Sequence, residues 1–195
     1  VITNGFNLID GINGLAGGLG VIASFGFGFV AALMNQQDMA IIAFALSGTL
    51  IAFLRYNFLP LRAKVFMGDT GSLVVGMVLS VLALNTIEHG LVTESIHLPN
   101  KGPLLAIVIL AIPLFDSLRV FVARVIVGRH PLHPGKGHIH HALLDLGMGH
   151  KYASIILWVV AIMLIILAYF LLEININRGI AILAVVSFVL LLIPF

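Results

Sequence analysis

Long apolar stretches alternate with short polar segments along the whole chain. They cover residues 14–34, 39–54, 70–87, 103–123, 152–172 and 179–195, and the fourth is uncharged as far as Phe115. A helix needs about 20 apolar residues to cross the hydrocarbon core, with roughly 17–25 typical. The stretch 39–54 is short and needs interfacial support from Tyr56 and Asn57. The pattern therefore predicts an all-α polytopic membrane protein with about six transmembrane helices, in one domain over residues 1–195.

The composition supports a lipid-facing surface. Of the 195 residues, 61% are hydrophobic and 9% are charged, whereas a soluble domain carries about 25% charged residues. The net charge of +2 gives no reason to expect a nucleic-acid partner, and the absence of cysteine excludes disulfides and thiolate metal sites. The expected surroundings are a lipid bilayer.

The basic residues distribute unequally between the two sides of the predicted bundle. Only Lys101 and Arg178 fall on one side. Eight fall on the other: Arg55, Arg62, Lys64, Arg119, Arg124, Arg129, Lys136 and Lys151. Cytoplasmic loops carry the excess of Lys and Arg, so this second side is predicted to be cytoplasmic. The segment 124–151 is then a cytoplasmic His-rich loop.

The chain begins at Val1 and enters a polar motif at once, without a basic segment and a following apolar core. No signal peptide is therefore expected. We interpret the chain as the C-terminal part of a longer protein.

The first polar cluster, residues 4–14, has the sequence NGFNLIDGING and precedes the first span. Its amides can hydrogen-bond a sugar or a base, its carboxylate Asp10 can bind a divalent cation, and its glycines permit close backbone approach to a ligand. Helix capping by Asp10 or Asn13 is the alternative interpretation. Capping accounts for one or two of these residues but not for all four polar ones.

The second cluster, residues 64–72, has the sequence KVFMGDTGS and places Asp69 at the cytoplasmic start of a span. Mg²⁺ prefers oxygen ligands and bridges phosphates while it keeps several waters. Asp69 suits that role, and Phe66 is a candidate for stacking on a base. A helix N-cap formed by Asp69 or Ser72 is the alternative.

The third cluster, residues 129–141, has the sequence RHPLHPGKGHIHH. Pro and Gly oppose a helix before His138, and Arg129 and Lys136 offer positive charge to phosphates. A zinc site is disfavoured because cysteine is absent and the basic residues repel a cation. The three histidines His138, His140 and His141 are better interpreted as phosphate-binding or proton-handling groups.

Two further features have simpler interpretations. Asp116 and Arg119 are three residues apart near the inner end of the fourth span, where an intrahelical ion pair is the default. The glycines at positions 14, 17, 18 and 20 give the first span a surface suited to close helix packing.

These motifs together resemble the polyprenyl-phosphate N-acetylhexosamine-1-phosphate transferases. The family includes the undecaprenyl-phosphate GlcNAc-1-phosphate transferases and the phospho-MurNAc-pentapeptide translocase. The resemblance rests on NGFNLIDGINGL at 4–15, VFMGDTGSL at 65–73 and HIHH at 138–141, which occur in the family's order. The form HIHH is more similar to the GlcNAc-1-phosphate branch, because the pentapeptide enzymes typically show three consecutive histidines.

The resemblance implies a reaction between a UDP-N-acetylhexosamine and undecaprenyl phosphate that releases UMP and requires Mg²⁺, or alternatively Mn²⁺. It also implies a multi-pass protein of the bacterial cytoplasmic membrane, active on the cytoplasmic face and forming a homodimer. Asp69 and Asp10 would be metal ligands, and they would be catalytic together with His138, His140 and His141. The substrate-binding residues would be Asn4, Asn7, Gly11, Asn13, Phe66, Arg129 and Lys136.

Two departures from the family pattern matter. Many members have Asp where this chain has Asn13, and the family's upstream Asp-Asp motif is absent from these residues. The rival functional class is a transporter or lipid flippase, which typically shows broken helices near the bilayer midplane in repeated halves. Polar clusters at one boundary and the lack of an internal repeat favour the enzyme.

Overall fold

The computed structural model describes residues 1–59, 65–92, 100–128, 130 and 137–195, and within them it contains helices and no strand. The helices are α1 (Ile2–Ile9), α2 (Leu15–Leu33), α3 (Gln37–Asn57), α4 (Gly68–Val92), α5 (Gly102–Ile109), α6 (Ala111–Ile126), α7 (Ile139–Asp145), α8 (His150–Leu171) and α9 (Ile176–Leu192). The all-α class predicted from the sequence is confirmed.

Helix α2 lies at the centre of the bundle, and its small residues allow that position. A side chain added at Gly18 would overlap the Trp158 ring of α8, and one added at Gly20 would come within 2.7 Å of Leu50 on α3. By contrast, only 22% of the apolar window of α3 is buried inside the protein. The glycines of α2 therefore pack helices closely, as predicted, while α3 presents most of its surface outward.

The prediction of six transmembrane spans is wrong when the helices are judged by their length and composition. Among the described residues, four helices are long and apolar enough to cross a membrane, and the α5–α6 pair adds a fifth if it counts as one span. Helix α9 has 17 residues, which at 1.5 Å per residue gives about 25 Å against a hydrocarbon thickness of about 30 Å. The segment counted as a sixth span is thus a shorter apolar helix.

The break between α5 and α6 bends the fourth apolar stretch by 76°. It falls at Leu110, which has φ −104° and ψ 17°. Pro113 follows in the first turn of α6 and has no N–H to donate to the Ile109 carbonyl, so a continuous helix would lose that bond. The proline therefore accounts for a helix end just before it.

Short helix α1 lies against both α4 and α6 through glycines. A Cβ added at Gly76 of α4 would come within 2.8 Å of the Thr3 Cα, and one added at Gly5 would lie 3.0 Å from the Ser117 hydroxyl. These close contacts fix the direction in which α1 presents its polar residues. Helix α1 thus brings the first sequence motif beside α4, which begins within the second motif, and beside α6.

Candidate active site

The turn after α1 begins the site. Helix α1 ends at Ile9, Asp10 follows it, and α2 starts after Gly14, which adopts the left-handed φ of +85°. A side chain at Gly14 would also overlap the Phe58 ring, so glycine is required there on two grounds. Neither Asp10 nor Asn13 caps α2, because Gly14 occupies the N-cap. The capping interpretation of this motif is therefore wrong.

Asn57 holds this turn in place from the end of α3. Its side-chain oxygen accepts a hydrogen bond from the Gly14 N–H at 2.6 Å, and its amide donates to the Val65 carbonyl at 2.8 Å. Asn57 is only 5% exposed, so both partners are satisfied away from water. A second tie comes from Ser154 of α8, whose hydroxyl donates to the Asn13 carbonyl at 2.8 Å.

The second motif meets the first at the start of α4. Gly68 has a left-handed φ of +66°, and Asp69 lies in the first helical turn, not ahead of it. The Asn7 amide donates to the Asp69 carboxylate at 3.1 Å and to the Ser72 hydroxyl at 2.8 Å. Ser72 donates back to carbonyls of its own helix. Asp69 and Ser72 therefore do not form the N-cap that was the alternative interpretation.

Asp10 and Asp69 form a pair of neighbouring carboxylates. Burial raises the pKa of Asp10 to about 6; the Gly68 backbone N–H, which hydrogen-bonds the carboxylate, opposes the rise, and the negative charge of Asp69 adds to it. A half-buried acid beside a second acid is costly to ionise in the absence of a cation. The arrangement therefore favours binding of a positive charge at this point.

The third motif begins α7 and contacts the first. Helix α7 starts at Ile139, with His138 as its N-cap, as expected from the Pro- and Gly-rich sequence before it. A side chain at Gly11 would overlap the His140 ring, so the backbone of the first motif lies directly against this histidine. The His141 ring lies 4.2 Å from that of His140. The three sequence motifs therefore converge at one end of the bundle.

His140 is a neutral group at pH 7. Burial lowers its pKa to about 4, with further lowering from His141 and His138, while Asp116 raises it. His140 is 1% exposed, and neither of its ring nitrogens has a hydrogen-bond partner within the described residues. Its ring can therefore hydrogen-bond a phosphate, but it brings no positive charge to attract one.

His138 is held by Asp116, for which the sequence predicted only an ion pair with Arg119. Asp116 of α6 is 0% exposed, and its carboxylate lies 2.7 Å from the Arg119 guanidinium. The predicted ion pair is therefore present. The same carboxylate also lies 2.8 Å from His138 Nδ1. This second contact joins residues 22 positions apart, which no local spacing rule indicates.

Other predicted residues are at the periphery of the site or outside it. Phe66 is 74% exposed, Asn4 is exposed on α1, and Asn13 contributes its carbonyl to Ser154. Arg129 and Lys136 lie outside the described residues. Asn57 and Asp116 were not predicted as site residues. The sequence features that could have indicated them are an amide at a helix end and an acid inside an apolar stretch.

The donors that converge here suit a hard cation. Within the described part of the chain, no cluster of three or more His, Cys, Asp or Glu side chains could hold a metal by itself. Mg²⁺ typically uses one or two carboxylates together with water and substrate phosphates. Asp10 and Asp69 supply that number of carboxylates, and the raised pKa of Asp10 fits a carboxylate that binds a cation.

Comparisons with known proteins agree with the motifs. A family model described as glycosyl transferase family 4 matches residues 1–87. A probable undecaprenyl-phosphate N-acetylglucosaminyl 1-phosphate transferase of Bacillus subtilis (strain 168) is 35% identical over 159 residues, which cover 82% of this chain and 42% of the relative.

Two further relatives show the same pattern. The decaprenyl-phosphate N-acetylglucosaminephosphotransferase of Mycolicibacterium smegmatis is 35% identical over 174 residues, covering 81% of this chain and 42% of that protein. The undecaprenyl-phosphate alpha-N-acetylglucosaminyl 1-phosphate transferase of Escherichia coli (strain K12) is 32% identical over 163 residues, covering 83% and 42%. The chain thus spans about two fifths of the length of the curated relatives it matches. The comparisons therefore confirm the resemblance indicated by the motifs: residues 1–87 match the model of glycosyl transferase family 4, and about four fifths of the chain is similar to polyprenyl-phosphate N-acetylglucosamine 1-phosphate transferases.

Proposed function

We propose that the intact protein, meaning this chain with whatever natural sequence adjoins it, transfers N-acetylglucosamine-1-phosphate from UDP-N-acetylglucosamine to undecaprenyl phosphate. The names of the relatives support this sugar and this class of lipid acceptor. The observation that carries the proposal is the convergence of three motifs: Asn7 with Asp69, Asp10 with Gly68, and Gly11 with His140.

The proposed reaction is a phosphoryl substitution. An oxygen of the lipid phosphate attacks the β-phosphorus of the UDP-sugar, a new P–O bond forms, and the bond to the bridging oxygen breaks as UMP leaves. The attacking phosphate is already anionic, so catalysis depends on positioning and electrostatics more than on a general base. The His140 ring offers a neutral hydrogen-bonding group for a diphosphate or a sugar. The Asn7 amide donates to Asp69 and Ser72, so its side-chain oxygen remains as an acceptor for a sugar hydroxyl.

Asp10 and Asp69 are the residues that would hold Mg²⁺. The ion, when bound, neutralises charge on the diphosphate and the departing UMP. Without it, two neighbouring carboxylates would repel a substrate that carries several negative charges. Phe66 is exposed beside Asp69 in sequence and is free to stack on the uracil.

The site is proposed to face the cytoplasm of a bacterial inner membrane. Among described basic residues, Arg55, Arg124 and Lys151 lie at the helix ends nearest the site, whereas Lys101 and Arg178 lie at the opposite ends of the bundle. This distribution follows the positive-inside rule. It supports a site on the cytoplasmic side.

The bent α5–α6 pair is a feature that transporters also use. Here, however, the charged residues of α6 do not form a path through the bundle. Arg119 pairs with Asp116 and donates to the Gly137 carbonyl at 2.6 Å, so both residues belong to the same end as the three motifs. This placement favours the enzyme over the transporter.

The test is a transfer assay on membranes that contain the intact protein. Labelled UDP-N-acetylglucosamine and undecaprenyl phosphate should yield labelled lipid and UMP. Asp69→Asn should abolish transfer while leaving membrane accumulation unchanged, because Asp69 is exposed and accepts from Asn7 as either acid or amide oxygen. Asp38→Asn, an exposed acid at the start of α3, is the matched control. Normal turnover by Asp69→Asn would refute the assignment of Asp69.

A further inference from the structure

Asp116 is surrounded by hydrogen-bond donors on both carboxylate oxygens. Oδ1 accepts from the Arg119 guanidinium at 2.7 Å and from the Ile139 backbone N–H at 3.0 Å, and Oδ2 lies 2.8 Å from His138 Nδ1. The Ile139 N–H is the first of α7, one of the four that a helix leaves without an internal partner. Asp116 thus both caps α7 and holds the histidine that precedes it.

We propose that Asp116 is a positioning residue, which fixes His138 and the start of α7 so that the ring nitrogens of His138 and His140 face the substrate site. This inference rests on the function proposed above. Asp116 binds the His138 ring and the first N–H of α7, the helix that carries His140 and His141, so one buried carboxylate on α6 fixes the start of the histidine motif.

The hydrogen-bond pattern also sets the tautomer of His138. An ionised carboxylate can only accept, so the proton of the Asp116–His138 bond is on Nδ1. Nε2 is then the nitrogen that remains for a ligand. It is buried, and it has no hydrogen-bond partner within the described residues.

The unpartnered nitrogens point to a ligand because buried polar atoms are normally paired. His138 is 4% exposed and His140 is 1% exposed, and their rings lie nearly parallel, with centroids 6.0 Å apart. His140 abuts Gly11 of the first motif. A phosphate or sugar bound at the first motif would therefore lie beside the His140 ring.

Asp116→Asn tests the inference because the variant preserves volume and changes only the hydrogen-bond pattern. If the amide oxygen keeps the Arg119 and Ile139 contacts, the amide nitrogen faces His138 and donates to Nδ1. The histidine proton then moves to Nε2, and the ring presents the opposite tautomer to the ligand. We expect kcat to fall about 10–100-fold, the range seen when the partner that orients a histidine is removed, and KM for the UDP-sugar to change less than about threefold.

Asp145→Asn is the matched control, since Asp145 is an exposed acid at the other end of α7. It should leave kcat, KM and membrane accumulation unchanged. If Asp116→Asn accumulates normally and keeps the wild-type kcat, the positioning role is overturned.

A second variant keeps the test decisive if Asp116→Asn does not fold. His138→Asn retains a side-chain amide near the Nδ1 position, so it can still donate to Asp116, but it has no group at Nε2. The inference predicts normal accumulation with kcat lowered at least tenfold. Unchanged kcat in His138→Asn would mean that the Asp116–His138 contact only stabilises the fold.

Nitrogen-15 NMR of histidine-labelled protein gives a readout that does not require turnover. Wild type should show the Nδ1-protonated form or the doubly protonated form at His138, and Asp116→Asn should show the Nε2-protonated form. If wild type makes no labelled lipid, the proposed function fails, while the NMR result still decides the positioning role. An identical His138 spectrum in wild type and Asp116→Asn would overturn it.

Discussion

The contact between Gly11 and His140 can be tested by adding one carbon atom. Gly11→Ala places a methyl group where the His140 ring now lies, and the two would overlap. The Gly11 backbone is not in the left-handed region, which Gly14 and Gly68 do occupy. Alanine is therefore compatible with the local backbone, and the expected cost is steric.

The magnitude follows from how little the ring can move. His140 is 1% exposed, and the rings of His138 and His141 lie 6.0 and 4.2 Å away. Inserting a methyl group into a packed interior typically costs about 1–3 kcal/mol. For a chain of this size, each kcal/mol lowers the melting temperature by roughly 2–4 °C.

The assay is a double-mutant cycle on thermal unfolding in detergent, with Gly11→Ala, His140→Ala and the double variant. Removing the ring makes room for the new methyl group, so the double variant should be more stable than the sum of the single effects by about 1–3 kcal/mol. Gly48→Ala is the matched control, because a Cβ at Gly48 of α3 meets nothing within 4 Å.

Two results would refute the reasoning. One is a Gly11→Ala variant as stable as Gly48→Ala, and the other is additivity in the cycle. Either would mean that the first motif and the histidine motif do not touch. The convergent site on which the proposed function depends would then lose one of its three contacts.

Two further predictions concern the carboxylate pair and the exposed ring. Because the pKa of Asp10 is raised to about 6 from 3.8, the folded state binds its proton more tightly than the unfolded state, and wild type loses stability as pH rises through 6. Without divalent cations, Asp10→Asn should therefore melt higher than wild type at pH 8, and the gap should narrow below pH 6 and close below about pH 4; a gap independent of pH would contradict this. Phe66→Ala should leave the melting temperature unchanged, since Phe66 is 74% exposed. It should raise KM for the UDP-sugar about 5- to 150-fold, as expected for loss of a stacking contact of about 1–3 kcal/mol; Phe66→Trp should restore it.

The positions of the helices were largely predictable from hydrophobicity. The long helices α2, α3, α4 and α8 coincide with uncharged stretches, because lipid tolerates few charges over such lengths. The bend at Leu110 was not predicted, since the composition stays apolar across it. A proline three residues later is the signal that the apolar count overlooked.

The site was predictable to the extent that its chemistry is local in sequence. The polar residues of each motif are close together in the sequence, so the residues of each motif could be inferred from the sequence alone. The contacts that join the three motifs could not. Gly14 and Asn57 are 43 residues apart, and Asp116 and His138 are 22 apart; such contacts depend on how helices pack, which spacing along one helix does not reveal.

The two ends of the bundle also differ in how well their polar groups are satisfied. At the end far from the site, the Lys101 ammonium donates to the Ile174 carbonyl at 2.6 Å, and the Asn175 side chain caps α9 through the Asn177 N–H. At the site end, two carboxylates lie side by side and two buried histidines have ring nitrogens without partners in the described residues. Each of these features is unfavourable by itself, and each would become favourable beside a cation and a phosphorylated ligand. The energetic asymmetry between the two ends therefore supports the site proposed at this end of the bundle.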